Sequence, residues 1–317
     1  MRRKWSSFFI ISLVLFAIVL FGSYLVPLSG KIYSDPPKLA PSDGYFITVD
    51  GVKTFVQEAG RLTGEPVILI HGFGGGTFNW RLTIPALAQE GYRAIAFDMK
   101  GFHLSKKSAE EDYSHPSQAS FIAAVMDRLK IEKASFIAHN MGANVVSHFA
   151  FKYPERVSKL VFVDAALSTE KNIWVSIGAQ LLKFPPLTRW GQIFVRSFLS
   201  EKRIEENLDL FYHNRSLITK TLVSQYTAVT KLEYWDIGLV HFLSDYDKNV
   251  LPEALVTITA PMLIVWGTED KIIPIEEGEA LCDLLPNAEW NTFSNSGHVP
   301  MEDRPESFNA RVIEFLK

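Results

Sequence analysis

The side chains best suited to chemistry in this chain of 317 residues stand in three short segments, in the order Asn140, Asp270, His298. Lys133–Ala143 reads K-A-S-F-I-A-H-N-M-G-A: an apolar strand-like run, a small-x-N-x-small turn, then a helical stretch. Small residues flank position 140 because a sharp strand-to-helix turn holds its central residue in a strained conformation that exposes the side chain. Such a turn normally presents a nucleophile, as G-x-S-x-G. Asn140 is a carboxamide, without an ionisable proton and a poor nucleophile at neutral pH. Asp270, in W-G-T-E-D-K-I-I-P, and His298, in N-S-G-H-V-P-M-E, are the residue types that serve as orienting acid and general base. Taken singly, Asp270 also reads as a helix N-cap and His298 as a loop histidine. Glu269 is a rival for the acid, and Asp164 a more distant one.

Elements able to position these groups follow one another in a strand–helix rhythm. Phe46–Val49 and Val52–Gln57 flank Asp50-Gly51, a strong hairpin signal. Pro66–Ile70 is a continuous apolar run, as a buried parallel strand should be, and the loop His71-Gly72-Phe73-Gly74-Gly75-Gly76 follows it. A helical pattern runs through Trp80–Glu90. Strands are predicted at Tyr92–Phe97, Ala134–Ala138, Val157–Val163, Pro261–Trp266 and near Glu289–Phe293. Phe121, Val125 and Leu129 mark an amphipathic helix, and Met141–Tyr153 a second one stopped by Pro154. A helix near Glu276–Leu285 and a last one with Pro305 in its first turn complete the pattern. Repeated β-α units predict a mostly parallel sheet with helices on both faces. From Ala166 to about Asp247 the rhythm breaks into a helix-like stretch rich in large apolar residues, read as a lid.

Together these segments resemble the α/β-hydrolase family over about residues 45–317, in the wording of its serine esterase and carbon–carbon bond hydrolase branch. The resemblance implies an α/β fold with an eight-stranded-type sheet and a helical lid. It places Asn140 at the nucleophile position, Asp270 as acid and His298 as base. The backbone N–H groups of Phe73 and Met141 would form the oxyanion hole, with His71, Gly72 and Gly74 in the supporting loop. No metal or organic cofactor is implied. Two positions depart from the pattern: Asn140, and His103, which fills a usual glycine in F-D-M-K-G-F-H-L-S as a local adaptation or a group facing the pocket. His139 is read as a support of the turn.

Three readings of Asn140 stay open. The protein has lost covalent catalysis and binds an apolar ligand; or Asn140 is an introduced replacement of Ser or Asp; or turnover continues without a covalent intermediate, His298 activating water. Under each, the partner is a hydrophobic small molecule.

Composition narrows the remaining classes. A net charge of −3 and no basic stripe argue against nucleic acid as a partner. Cys282 is the single cysteine, so neither an internal disulfide nor a cysteine-built metal site is possible. Arg2, Arg3 and Lys4 precede the uncharged run Phe8–Val26, whose 19 residues would span roughly 28 Å. This predicts a transmembrane anchor with its N-terminus cytoplasmic and the body extracytoplasmic, or else a cleaved signal peptide on a secreted protein. The expected organisation is an anchor at 1–27, a linker at 28–44, a core at 45–165, a lid at 166–247 and the rest of the core at 248–317.

Overall fold

The Asp50-Gly51 pair takes positive φ at both residues, 50° and 77°, and closes the antiparallel hairpin β1 (Gly44–Val49) to β2 (Val52–Ala59). Asp and Gly tolerate that region, which matches the twist of the flanking strands. β2 then pairs antiparallel with β4 (Arg93–Phe97). The apolar runs β3 (Pro66–Ile70), β5 (Ala134–His139), β6 (Val157–Val163), β7 (Met262–Gly267) and β8 (Ala288–Phe293) join β4 in parallel pairings. The computed structural model thus carries the expected eight-stranded sheet, in the order β1-β2-β4-β3-β5-β6-β7-β8. It describes residues 2–28, 34–108, 111–167, 172–249, 256–285 and 287–317, with side chains from residue 9 onward. Parts of the expected linker (29–33), lid (168–171) and second core segment (250–255 and 286) therefore lie outside the described residues.

Helices cover both sheet faces. α1 (Arg2–Phe21) opens the chain, and α2 (Thr83–Gln89), α3 (His115–Arg128) and α4 (Met141–Lys152) belong to the core. Trp80 sits in a separate 3-10 turn, Thr77–Trp80, so the helix expected from that residue begins later. Between β6 and β7 the chain forms α5 (Ile173–Leu182), α6 (Pro185–Phe198), α7 (Glu201–Phe211), α8 (Lys220–Thr227) and α9 (Ile237–Ser244), all helical as the broken rhythm predicts. α10 (Ile275–Leu284) and α11 (Pro305–Leu316) complete the core. Every parallel strand therefore ends on the same side of the sheet, where the catalytic candidates lie.

The N-terminal expectation needs correction. α1 stops at Phe21, and Gly22–Leu25 tightens into a 3-10 turn. Among the described residues no helix is long and apolar enough to cross a membrane, so a transmembrane anchor over Phe8–Val26 is not supported. The lid captures the end of α1. Trp190 Nε1 donates to the Val19 carbonyl (2.7 Å), Arg189 Nε to that of Ser23 (2.9 Å), and Ser23 Oγ to that of Pro186 (3.3 Å). These bonds satisfy terminal carbonyls and turn the chain onto α6.

Candidate active site

Asn140 occupies the turn between β5 and α4 with φ 49° and ψ −121°, outside the ordinary left-handed well. Its surroundings explain why small neighbours are needed. A Cβ at Gly142 would come within 2.7 Å of the His71 carbonyl oxygen and 2.8 Å of that of Ile70. One at Gly72 would meet the Asn140 Cβ and His139 Nδ1, both at 2.8 Å. The turn is pinned from below by Asn140 N–H donating to Val163 O (2.9 Å) and Ala166 N–H donating to Asn140 O (3.2 Å).

The three separated segments meet here. His298 Nδ1 lies 2.7 Å from Asp270 Oδ2, and its Nε2 lies 3.1 Å from Asn140 Nδ2. Asp270 is held by backbone N–H groups of Ile272 (2.7 Å) and Ile273 (3.1 Å), which donate to its other oxygen. Nδ1–H therefore donates to the carboxylate, leaving Nε2 to accept from the Asn140 amide. The carboxamide oxygen faces the opposite way and accepts from Phe73 N–H at 3.4 Å. Met141 begins α4, where N–H groups have no intrahelical acceptor. One side chain thus touches both the base and a candidate oxyanion donor.

Supporting residues fix the two loops. His71, fully buried and therefore held below the usual histidine range, accepts from Met99 N–H (3.0 Å) and donates from Nδ1 to Gly72 O (2.8 Å). Gly74, at φ 71°, lets the loop fold back so that Gly75 N–H reaches Gly72 O at 3.1 Å. His139 does more than back the turn. Its Nε2 bonds the His298 carbonyl at 2.8 Å, and burial, then the neighbouring His298, keeps it neutral. Glu269 accepts from Ser296 N–H (2.9 Å), bracing the histidine loop rather than touching the imidazole.

Asp164 is fully buried beside Asp270 and accepts from Gly267 N–H (3.0 Å). Burial, then the Asp270 charge, pushes its carboxyl well above the usual range, so it stands as a neutral acid. One ligand atom from each of Asp164, Asp270 and His298 falls within 4.8 Å of the others, a set that a metal ion could use. The 2.7 Å contact within it is the hydrogen bond between His298 Nδ1 and Asp270 Oδ2.

His103 adopts φ 37°, the left-handed conformation a glycine would take freely, and bonds Asp98 Oδ2 at 3.2 Å. Both sequence readings meet in it, since it braces the Asp98 turn and also lines a cavity. That cavity, about 360 Å³, lies between the Phe73–Gly75 loop and lid residues including Phe198, Leu199, Ile204, Leu208, Trp235 and Leu239. A second, about 340 Å³, is bounded by Asn140, Met141, Ala166, Val175 and Phe242. Phe73 and Ile272 line both.

Sequence reasoning missed one cluster. Buried Glu302 accepts from Asn79 Nδ2 (2.9 Å), Arg81 Nη1 (2.5 Å) and the hydroxyls of Tyr212 (2.5 Å) and Tyr226 (3.2 Å). Asn79 Oδ1 in turn accepts from Gly76 N–H (3.1 Å), so the network joins helices α7 and α8 to the His71–Gly76 loop. The one available signal was a carboxylate, Glu302, inside the otherwise apolar V-P-M-E segment.

A family model described as alpha/beta hydrolase fold matches residues 65–305. The chain is 27% identical over 271 residues to the uncharacterized hydrolase YugF of Bacillus subtilis, covering 85% of this chain and 96% of that protein. It is 29% identical over 289 residues to 2-hydroxymuconate semialdehyde hydrolase of Pseudomonas sp. strain CF600, covering 88% and 96%. Its structure is similar to that of a meta-cleavage product hydrolase from Pseudomonas fluorescens IP01, with a TM-score of 0.72, 30% identity and coverage of 86% and 97%. These named relatives are hydrolases, which supports the same broad class of reaction here. Sheet order, turn and matched span agree: the chain belongs to the α/β hydrolase fold family.

Proposed function

We propose that this protein hydrolyses a hydrophobic ester or related carbonyl compound, including a carbon–carbon bond next to a carbonyl, without an acyl-enzyme. The observation that carries this reading is the relay Asn140–His298–Asp270, with contacts of 3.1 and 2.7 Å. Its members are Asn140 in the nucleophile position, His298 as base and Asp270 as the acid that orients it. In the resting site the Asn140 amide occupies both the imidazole nitrogen and the Phe73 N–H. An entering carbonyl oxygen displaces the amide oxygen and takes hydrogen bonds from Phe73 and Met141 N–H. His298 Nε2 then removes a proton from water as the water oxygen attacks the carbonyl carbon, and Asp270 stabilises the imidazolium. When the tetrahedral intermediate collapses, the imidazolium returns the proton to the leaving group. Water and ester become acid and alcohol, with no bond to the protein.

Loss of a triad nucleophile removes about 10⁶-fold in rate, yet oxyanion stabilisation and binding retain about 10³–10⁴ over water. The test is p-nitrophenyl ester hydrolysis by the unaltered protein, Asn140→Ser and His298→Ala. Slow turnover by the first, a rise of orders of magnitude with covalent serine-probe labelling in the second, and loss in the third are expected. An inert, unlabelled Asn140→Ser would refute the relay. A second reading, an inactive homologue that binds an apolar ligand, draws on the same amide, which blocks base and donor at once. Under it, ligand raises the melting temperature and His298→Ala leaves that shift intact, while the unaltered protein turns nothing over.

A further inference from the structure

Large apolar side chains on the lid point away from the core. On α5, Ile173, Trp174, Ile177 and Leu181 are exposed, and Trp174 is 78% exposed. On α6, Phe194 and Phe198 are exposed at 67% and 51%, with stacked rings 5.9 Å apart. Residues 190, 194 and 198 form one stripe at i, i+4, i+8, and its first member, Trp190, is the side chain that holds the end of α1. The exposed surface therefore continues from the lid onto α1. There, apart from half-buried Leu20, every residue from Phe9 to Phe21 is exposed. Isolated exposed apolar side chains are ordinary, but a continuous face of this kind marks an interaction surface.

We propose that this face, formed by α1, α5 and α6, seats on a lipid bilayer surface and receives apolar substrate directly from it. A second copy of the chain would cover one side of a helix, whereas the stretch of α1 from Phe9 to Val19 is exposed around its whole circumference and continuous with the exposed face of α5 and α6, an extent suited to the apolar margin of a bilayer surface. The sequence before its apolar run, Arg2-Arg3-Lys4, adds charge suited to anionic headgroups. The face also borders both cavities. Phe198 is exposed and lines the larger one; Val175, 48% exposed, lines the smaller. No helix needs to cross the bilayer for this. The delivery step rests on the hydrolase reading above; the seating does not.

The experiment places an environment-sensitive fluorophore at Phe194→Cys in full-length protein carrying Cys282→Ser, with a control label at Glu314→Cys on the far side. Addition of phosphatidylcholine–phosphatidylglycerol vesicles should blue-shift the first label and leave the second unchanged. Vesicle binding with no shift at 194 would mean that α1 tethers the protein while the lid faces water, and would overturn the proposal. So would a vesicle-independent shift that grows with protein concentration alongside dimer formation, since a second copy then covers the face. In the Asn140→Ser background, Trp174→Glu with Phe194→Glu should lower hydrolysis of a vesicle-borne long-chain ester at least tenfold and spare a soluble short-chain ester. Equal loss on both would overturn delivery. If Asn140→Ser is itself inert, the hydrolase reading fails and the label still decides the seating.

Discussion

At the scale of single residues, Asn140 fixes the hydrogen-bonding state of its neighbours His298 and Phe73. A serine hydroxyl would offer His298 a proton to remove, whereas the amide offers one that the imidazole cannot take at neutral pH. The base is therefore parked in one tautomer, with Asp270 on its other nitrogen. The turn beneath is as demanding as one carrying a nucleophile. Gly142→Ala would drive a methyl into the carbonyls of His71 and Ile70. We expect a loss of about 1–3 kcal/mol in chemical denaturation, the usual scale of overpacking. In the Asn140→Ser background the same change should also lower kcat, because His71 belongs to the loop proposed to supply the Phe73 N–H to the substrate carbonyl.

At the scale of elements, the lid is fastened by polar groups as well as by apolar packing. Tyr212, at the end of α7, donates to Glu302, and a hydrogen bond to a buried charge contributes about 1.5–3 kcal/mol. Tyr212→Phe should lower stability by that order and speed proteolytic nicking between α7 and α8, measured by limited digestion. This fastening was hard to read in the sequence because its partners lie 90 residues apart and Tyr212 sits in no recognisable motif. Local patterns were legible where one segment carries its own reason. Pro66–Ile70 is apolar throughout because both faces are covered, Asp50-Gly51 suits a turn with positive φ, and A-H-N-M-G has room only for small flanks. The fate of the N-terminal run was not legible. Its hydropathy says nothing of Arg189 and Trp190, more than 160 residues away, which hold its end against the lid.

At the scale of the whole molecule, buried histidines contribute to the response to acid. His115 lies at the start of α3 against Asn249, Asn144 and His148, and burial pushes its pKa down to about 3. Its folded value is thus below the ordinary 6.5, so its contribution is complete above pH 6.5 and disappears as pH falls towards 3. Each pH unit inside that window costs up to about 1.4 kcal/mol. Urea unfolding at pH 7 and pH 4.5 should show a smaller difference in stability for His115→Gln than for the unaltered protein. An unchanged difference would assign acid lability to other groups.

The two cavities that share Phe73 and Ile272 in their lining have a consequence in time. Under the hydrolase reading proposed above, a substrate that spans both cavities would have its two ends in separate chambers before any bond breaks. After cleavage each fragment would leave through its own cavity, without waiting for the other. The partition leaves the overall equilibrium untouched but shortens the interval in which products can recombine.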